Sequence, residues 1–216
     1  MNEPASIELE RSISRSERRR RRNRQALIEA GYAVMAKKGL DAATMAEIAE
    51  LADVGAGTMY NYFESKDELV VAVLELVMDR LARRIQAVTN SFSDPAQTYA
   101  FGIRNVMDAA TTDPRWRWLL HRSEVIADAM YRVMGPYAIH DIRTAVSAGR
   151  YRVEDPELAW RQATHAIIGF SLAVCHNSLP PEKIDEAVVN LLCMVGMDRD
   201  EAWNVARRSC PKLPPE

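Results

Sequence analysis

The sequence predicts an all-α protein, and three patterns carry that prediction. Apolar residues recur at spacings of three and four along nearly the whole chain, which is the period of an amphipathic helix. The alternating runs that are typical of half-buried strands are missing. Asp94-Pro95, Asp113-Pro114 and Asp155-Pro156 each place a helix-capping residue before a proline suited to the first helical position.

Start and stop signals divide the chain into helices. A first helix is expected over 16–38, with Gly39 at its C-terminal end. The pairs Thr44/Glu47 and Ser65/Glu68 have the spacing of capping boxes. They open a helix of about two turns and a long helix ending near residue 89, with a further short helix over 54–63 between them. The remaining helices are expected near 95–111, 114–134, 136–149, 156–177, 181–196 and 199–208.

This division predicts an N-terminal three-helix helix-turn-helix domain followed by a helical bundle. The boundaries that we predict are 1–14 for a disordered tail, 15–64 for the three-helix domain, 65–208 for the helical bundle, and 209–216 for a C-terminal tail. The first tail is polar and the last is rich in proline.

Charge is distributed unevenly. The net charge is −2, yet eight arginines and a single glutamate lie between Arg11 and Arg24, so a basic arm precedes an acidic body. Such an arm binds polyanions, either nucleic acid or an anionic membrane, or is a solvated tail.

Other compositional features restrict the compartment. Three widely spaced cysteines do not make a disulfide framework and fit a reducing compartment. No apolar run reaches the roughly 18–20 residues that cross a bilayer, and no secretory signal is evident. We therefore expect a cytoplasmic protein without a membrane partner.

The segment from Val54 to Phe63 has the composition of a DNA-recognition helix. Small residues at its start allow close approach to the floor of a major groove about 12 Å wide. Thr58, Tyr60 and Tyr62 suit phosphate oxygens, and Asn61 suits a base or a phosphate.

The residues around this segment resemble the DNA-binding signature of the TetR family of transcriptional regulators. The matching positions are Ile48-Ala49, Ala52, Val54, Gly57-Thr58-Met59-Tyr60, Tyr62-Phe63, Lys66 and Leu69. Asp53 stands where the family usually has glycine, and Gly55 where serine is common. The resemblance implies a repressor that binds DNA as a dimer and responds to a small-molecule inducer, and it implies a phosphate contact for Lys66. It also implies that 15–64 is the DNA-binding domain and that 65–208 is the ligand-binding and dimerisation domain.

A DNA-binding surface follows from the segment, the arm and the resemblance together. Four arginines share a helical face at spacings of three, four and seven. The expected DNA-binding residues are Arg15, Arg18, Arg19, Arg22, Thr44, Gly55, Ala56, Gly57, Thr58, Tyr60, Asn61, Tyr62 and Lys66. The expected partner is a near-palindromic double-stranded operator, because two half-sites one helical turn apart multiply specificity.

The body offers candidates for a dimer interface and an effector cavity. Two stripes suit close helix packing between subunits, although an intramolecular core explains them equally well: Ala163, Ala166, Gly169, Phe170 and Ala173, then Ile184, Val188, Leu191 and Val195. Amphipathic side chains suit a hydrophobic or aromatic effector: Tyr99, Met107, Trp116, Trp118, His121, Met130, Met134 and Tyr137.

No pattern of an enzyme appears. Metal-ligand, nucleophile-elbow and phosphate-loop motifs are missing, so we expect no catalytic residue, no metal and no cofactor. Two alternatives stay open beside the ligand-responsive repressor. One is a regulator without a small-molecule inducer, and the other is an interaction protein whose basic arm binds a membrane.

Overall fold

The computed structural model describes residues 14–113, 120 and 123–215, apart from the side chains of Ser123 and Glu124. Over these residues the chain forms ten α-helices, one short 3₁₀ turn at Pro181–Lys183 and no strand. The helices are α1 (Arg15–Lys38), α2 (Met45–Leu51), α3 (Ala56–Met59), α4 (Lys66–Thr89), α5 (Pro95–Thr112), α6 (Ser123–Val133), α7 (Gly135–Ser147), α8 (Pro156–Cys175), α9 (Ile184–Met194) and α10 (Arg199–Ala206). The all-α prediction is confirmed.

Three helices begin at predicted capping residues whose side chains form the expected hydrogen bonds. The side chains of Thr44, Asp94 and Asp155 accept hydrogen bonds from backbone N–H groups in the first turns of α2, α5 and α8. Ser14 and Glu17 form a complete capping box before α1. Asp113 follows the end of α5, whereas Pro114 and the helix start predicted there lie outside the described residues; the next described helix is Ser123–Val133.

The chain divides into two compact units, one ending at Val73 and one beginning at Leu74, so the division falls within α4. The first unit packs α1, α2, α3 and the start of α4 around buried side chains that include Leu27, Ile48 and Phe63. A Cβ at Gly31 would lie 3.2 Å from Val73 Cγ2, which shows how closely α1 approaches α4.

The second unit is organised around α5, which packs against α7, α8, α9 and α10. Tyr99, Ile103 and Trp160 are among its fully buried side chains. Arg152, in the loop after α7, packs closely against Gly196. Glycine is required at position 196 because its φ is +84° and a Cβ there would lie 2.6 Å from the Arg152 carbonyl oxygen. Gly149 has a similar φ of +70° but faces open space.

Asp94 joins three parts of the second unit. Its Oδ1 accepts from Ala96 N at 3.0 Å and thereby caps α5. Arg150 donates to both carboxylate oxygens at 3.1 Å and also pairs with Glu201, and Arg208 donates to Oδ2 at 2.6 Å. Burial opposes the charge of Asp94, but these hydrogen bonds outweigh it and hold its pKa below the usual value.

Candidate nucleic-acid interface and ligand cavity

The connection between α2 and α3 is a tight turn centred on Asp53. Asp53 has φ +53°, in the left-handed region that aspartate tolerates better than most residues. Ala52 N donates to Ile48 O, and Val54 N donates to Ala49 O, so the turn is closed by backbone bonds. An aspartate therefore fills a left-handed turn position where the family signature usually has glycine.

Helix α3 is a four-residue helix that continues as a hydrogen-bonded turn to Phe63. Met59 and Phe63 are buried and hold it against the core, whereas Tyr60 is 57% exposed. Thr58 and Asn61 are exposed and Tyr62 is half-buried. One face of α3 is therefore polar and exposed, because its apolar side chains pack into the core.

Two glycines leave the start of α3 without bulky side chains. A Cβ at Gly57 would meet nothing within 4 Å, and one at Gly55 would meet only Thr58 Oγ1 at 3.6 Å. Gly55 precedes the helix without a side-chain cap, and Ala56 beside it is exposed. Internal packing therefore does not require glycine at position 57. A partner surface that approaches α3 closely would require it.

The arginines of α1 flank this face. Arg19, Arg20 and Ser16 line one side of a groove whose other side is Thr58, Asn61 and Tyr62. Arg24 stacks on the buried Phe63 ring, 5.0 Å from its centroid. Arg15, Arg18 and Arg22, predicted from the sequence, are exposed but do not line the groove.

The arginines that line the groove, Arg19 and Arg20, differ in part from the predicted set, whose contacts with DNA stay predictions. Leu27 is fully buried, and steps of three or four residues back from it reach Arg24, Arg20 and Ser16. Arg20 was missed because the face was chosen by spacing within the basic run. Counting back from Leu27 would have found it.

Lys66 and Thr44 each already have a partner. Lys66 Nζ donates to the Asp41 carbonyl at 3.1 Å, which offsets the unfavourable position of a cation in the first turn of α4. The Thr44 hydroxyl accepts from Glu47 N. The predicted contacts of both residues with DNA stay predictions.

In the second unit a cavity lies between α4, α5, α7 and α8 and encloses about 480 Å³ between atoms, its open mouth included. Ala82, Ile85, Gln86 and Thr89 of α4 line one side. Tyr99 and Ile103 of α5, Met134, Tyr137 and Asp141 of the α7 segment, and Trp160 of α8 line the rest. Apolar walls with a few polar groups are typical of a small-molecule site.

Two polar atoms of the cavity residues lack partners. Neither the Tyr99 hydroxyl nor the Trp160 indole N–H has a hydrogen-bond partner in the described structure, although both residues are only 2% exposed. Buried polar groups are nearly always bonded, so such atoms need an explanation. Gly135 makes room for the indole, since a Cβ there would lie 3.3 Å from Trp160 Nε1.

Asp141 is the acidic residue of this cavity wall. Burial raises its pKa to about 6, and the nearby charge of His140 acts in the opposite direction. Burial together with the charge of Asp141 also raises the pKa of Tyr99. A partly desolvated carboxylate that lines the same cavity as two residues with unpartnered polar atoms is the kind of combination that marks a binding site.

The sequence-predicted effector residues divide into three groups. Tyr99, Met134 and Tyr137 line the cavity. Met107 and Met130 are buried in the core and do not line it. Trp116, Trp118 and His121 lie outside the described residues.

Asp141, Trp160 and Gln86 were missed. Asp141 had a sequence signal, because it occupies the core register of α7 together with Ala138 and the buried Ala145. An acid in such a register is unusual.

The residues predicted for the dimer interface are also divided. Ala163, Val188, Leu191 and Val195 are buried within the single chain, so they pack in its own core. Ala166 and Gly169 are exposed, and Phe170, Ala173 and Ile184 are half-buried. Only this accessible group could contact a second subunit.

Neither a metal centre nor a membrane helix is found in the part of the chain that the structure describes. No group of three or more His, Cys, Asp or Glu side chains there could hold a metal ion. No helix there is long and apolar enough to cross a membrane.

Comparison with known families identifies both units. Residues 27–73 match the family described as "Bacterial regulatory proteins, tetR family", and residues 94–208 match "Tetracyclin repressor-like, C-terminal domain". The second match covers more than half of the chain. This protein belongs to the TetR family of bacterial regulators, and the resemblance seen in the sequence is confirmed.

Individual relatives support the assignment. The chain is 32% identical over 109 residues to the HTH-type transcriptional repressor KstR of Mycolicibacterium smegmatis, which is 50% of this chain and 53% of that repressor. It is 34% identical over 74 residues to KstR2 of Mycobacterium tuberculosis, 34% of this chain and 37% of that protein. The chain thus spans about half the length, or less, of these curated relatives.

Solved structures match more of the chain. The structure of RolR in complex with its ligand resorcinol is 28% identical, with a TM-score of 0.82, and the match covers 91% of this chain and 99% of RolR. FadR from Bacillus halodurans, a fatty acid degradation regulator, matches 78% of this chain and 94% of its own at a TM-score of 0.59. At 18% identity it shows the shared fold alone.

Proposed function

We propose that this protein is a transcriptional repressor that binds a near-palindromic DNA operator as a homodimer and is released by a small aromatic effector. The observation that carries DNA binding is the open polar face of α3 beside Arg19 and Arg20. A helix held by Met59 and Phe63, with its polar side chains turned outward, suits insertion into a major groove. Such a regulator would act in the cytoplasm.

Arginines and hydroxyl groups have separate roles in this proposal. Arg19 and Arg20 neutralise phosphates and supply the salt-dependent part of the affinity. Thr58, Tyr60 and Asn61 fix the register on the duplex and reach toward base edges. The small size of Gly57 allows the start of α3 to approach the groove floor.

Dimerisation would use the accessible small residues of α8, among them Ala166 and Gly169. Pairing two copies places two α3 helices on half-sites about 34 Å apart, the rise of one DNA turn. Ligand binding would change the spacing of the two α3 helices, so that they no longer fit adjacent major grooves.

The effector class follows from the cavity and from RolR. RolR binds resorcinol, and this chain matches nearly all of RolR in fold. The cavity of this chain has apolar walls and few polar groups, which suits an aromatic molecule of similar size.

DNA binding can be tested with an operator selected from a random pool and fluorescence anisotropy at several salt concentrations. Thr58→Ala and Tyr60→Ala should each weaken operator binding roughly tenfold. Arg19→Ala should reduce the log–log salt slope by about 0.9 per lost phosphate contact, hence about 1.8 for a dimer. Arg83→Ala, which removes an exposed arginine paired with Asp79 in the second unit, should leave the slope unchanged.

Two results would contradict the proposal. If no DNA is enriched and the protein instead binds anionic vesicles in a salt-dependent manner, the basic arm serves a membrane. If resorcinol binds but never changes operator affinity, the chain is a regulator without this mode of induction.

A further inference from the structure

We propose that Tyr99, Asp141 and Trp160 form a three-point polar site for the hydroxyl groups of a small, neutral, hydroxylated aromatic ring. The inference rests on the proposed effector cavity and adds which ligand chemistry it selects. It starts from the two buried polar atoms of cavity residues that have no partner in the described structure, the Tyr99 hydroxyl and the Trp160 indole N–H.

The Trp160 indole N–H constrains the ligand most strongly. An indole nitrogen only donates, so it can be satisfied only by an acceptor on the ligand. The Tyr99 hydroxyl both donates and accepts, and ionised Asp141 only accepts. A hydroxyl group is the smallest unit that accepts from Trp160 or Tyr99 and donates to Asp141.

Other ligand classes fit the same atoms less well. A hydrocarbon ring would leave both donors and the carboxylate unpaired. An aromatic carboxylate would place a second negative charge beside Asp141, and no lysine or arginine is found among the described lining residues to offset it. A quaternary ammonium ion would pair with Asp141 but offers Trp160 no acceptor. A long acyl thioester of a nucleotide would also meet no basic group for its phosphates among the lining residues that the structure describes.

The apolar walls provide the other half of the selection. Ile85, Ile103, Val106 and Met134 give the same cavity a largely hydrocarbon lining, in which hydrogen bonds are stronger than in water and unpaired groups are costly. A site of this kind discriminates by the presence of hydroxyl groups, because an analogue without them leaves buried groups unsatisfied.

The proposal can be tested on the purified full chain without DNA, by calorimetry with probes of one ring size. The probes are the three dihydroxybenzene isomers, toluene, benzoate and benzyltrimethylammonium. At least one dihydroxybenzene should bind ten-fold or more tightly than the other three compounds. Because no operator is present, failure of the DNA-binding proposal does not affect this result.

Variants assign the contacts. Asp141→Asn should weaken dihydroxybenzene binding about 10- to 100-fold, since a charge-assisted hydrogen bond is lost. Tyr99→Phe and Trp160→Phe should each weaken it about 2- to 10-fold. Tyr151→Phe is the matched control, because the Tyr151 ring lies 5.9 Å from that of Tyr99 but its hydroxyl donates to Ala96 O and it does not line the cavity.

Three outcomes would overturn the proposal. If toluene, benzoate or the ammonium ion binds as tightly as every dihydroxybenzene, the polar groups do not select for hydroxyl groups on the ligand. Unchanged affinity in Asp141→Asn would remove that residue from the site. No binding by any probe at millimolar concentration would show that the cavity does not take this class.

Discussion

Replacing Asp141 with asparagine removes a charge that is partly withdrawn from water, so the empty protein should become more stable at neutral pH. Burial raises the pKa of this carboxyl from 3.8 to about 6. That difference corresponds to at most about 3 kcal/mol, at 1.36 kcal/mol for each pKa unit. At roughly 2–4 °C per kcal/mol for a chain of this size, the melting temperature should rise by up to about 6–12 °C.

The contribution of the Asp141 carboxyl to folding stability depends on pH. A carboxyl with a raised pKa binds its proton more tightly when folded, so its contribution favours the folded state at low pH and is lost as pH rises from about 4 through 6. Among the residues that the structure describes, the charged or titratable groups that interact with Asp141 are Tyr99, Tyr151 and His140. None of them is removed by Asp141→Asn, so the difference between variant and wild type isolates the carboxyl.

Urea unfolding at fixed protein concentration, at pH 4 and at pH 8, measures this difference. Asp141→Asn should gain stability over the wild type at pH 8 and little at pH 4. Asp128→Asn, which alters an exposed carboxylate on α6, should show little change at either pH. An equal effect of Asp141→Asn at both pH values, or a loss of stability at pH 8, would refute the assignment of Asp141 as a destabilising charge.

Glycine substitutions provide the remaining predictions. Gly57→Ala should leave stability equal or raised by about 0.5–1 kcal/mol, because a Cβ there meets nothing, yet weaken operator binding; unchanged affinity in an anisotropy titration would show that α3 does not approach DNA at that point. Gly196→Ala should destabilise the second unit far more than Gly149→Ala in thermal unfolding. Both need a positive φ, which costs about 1–2 kcal/mol, but only at Gly196 does the Cβ collide with the Arg152 carbonyl. Equal losses would argue against that collision.

Sequence reasoning located helices well because their starts are local. Thr44, Asp94 and Asp155 each accept a hydrogen bond from a backbone N–H no more than three residues later, at the starts of α2, α5 and α8. Both partners of each bond therefore lie in one short stretch of sequence. The polar face of α3 was found for a similar reason. Its residues are consecutive, and the family signature includes them.

The cavity could be predicted only in part because it depends on which helices meet. Tyr99, Met134 and Tyr137 were found by residue type, but the same criterion selected Met107 and Met130, which the fold places in the core. Gln86, on the long helix α4, gave no signal of its own, since its role arises only when α4 lies beside α5 and α7. The apolar stripe on α9 could be explained either by a dimer interface or by an intramolecular core. In the fold Val188, Leu191 and Val195 are buried within the chain.

The junction at Asp94 has a consequence for the end of the chain. Arg208, two residues beyond α10, reaches the same carboxylate that caps the helix carrying Tyr99. Shortening the chain before residue 208, or attaching a tag that withdraws this arginine, would therefore act on the first turn of α5. Arg208 thus stabilises the start of the helix that lines the cavity, so the segment that carries it must be kept intact when effector affinities are compared.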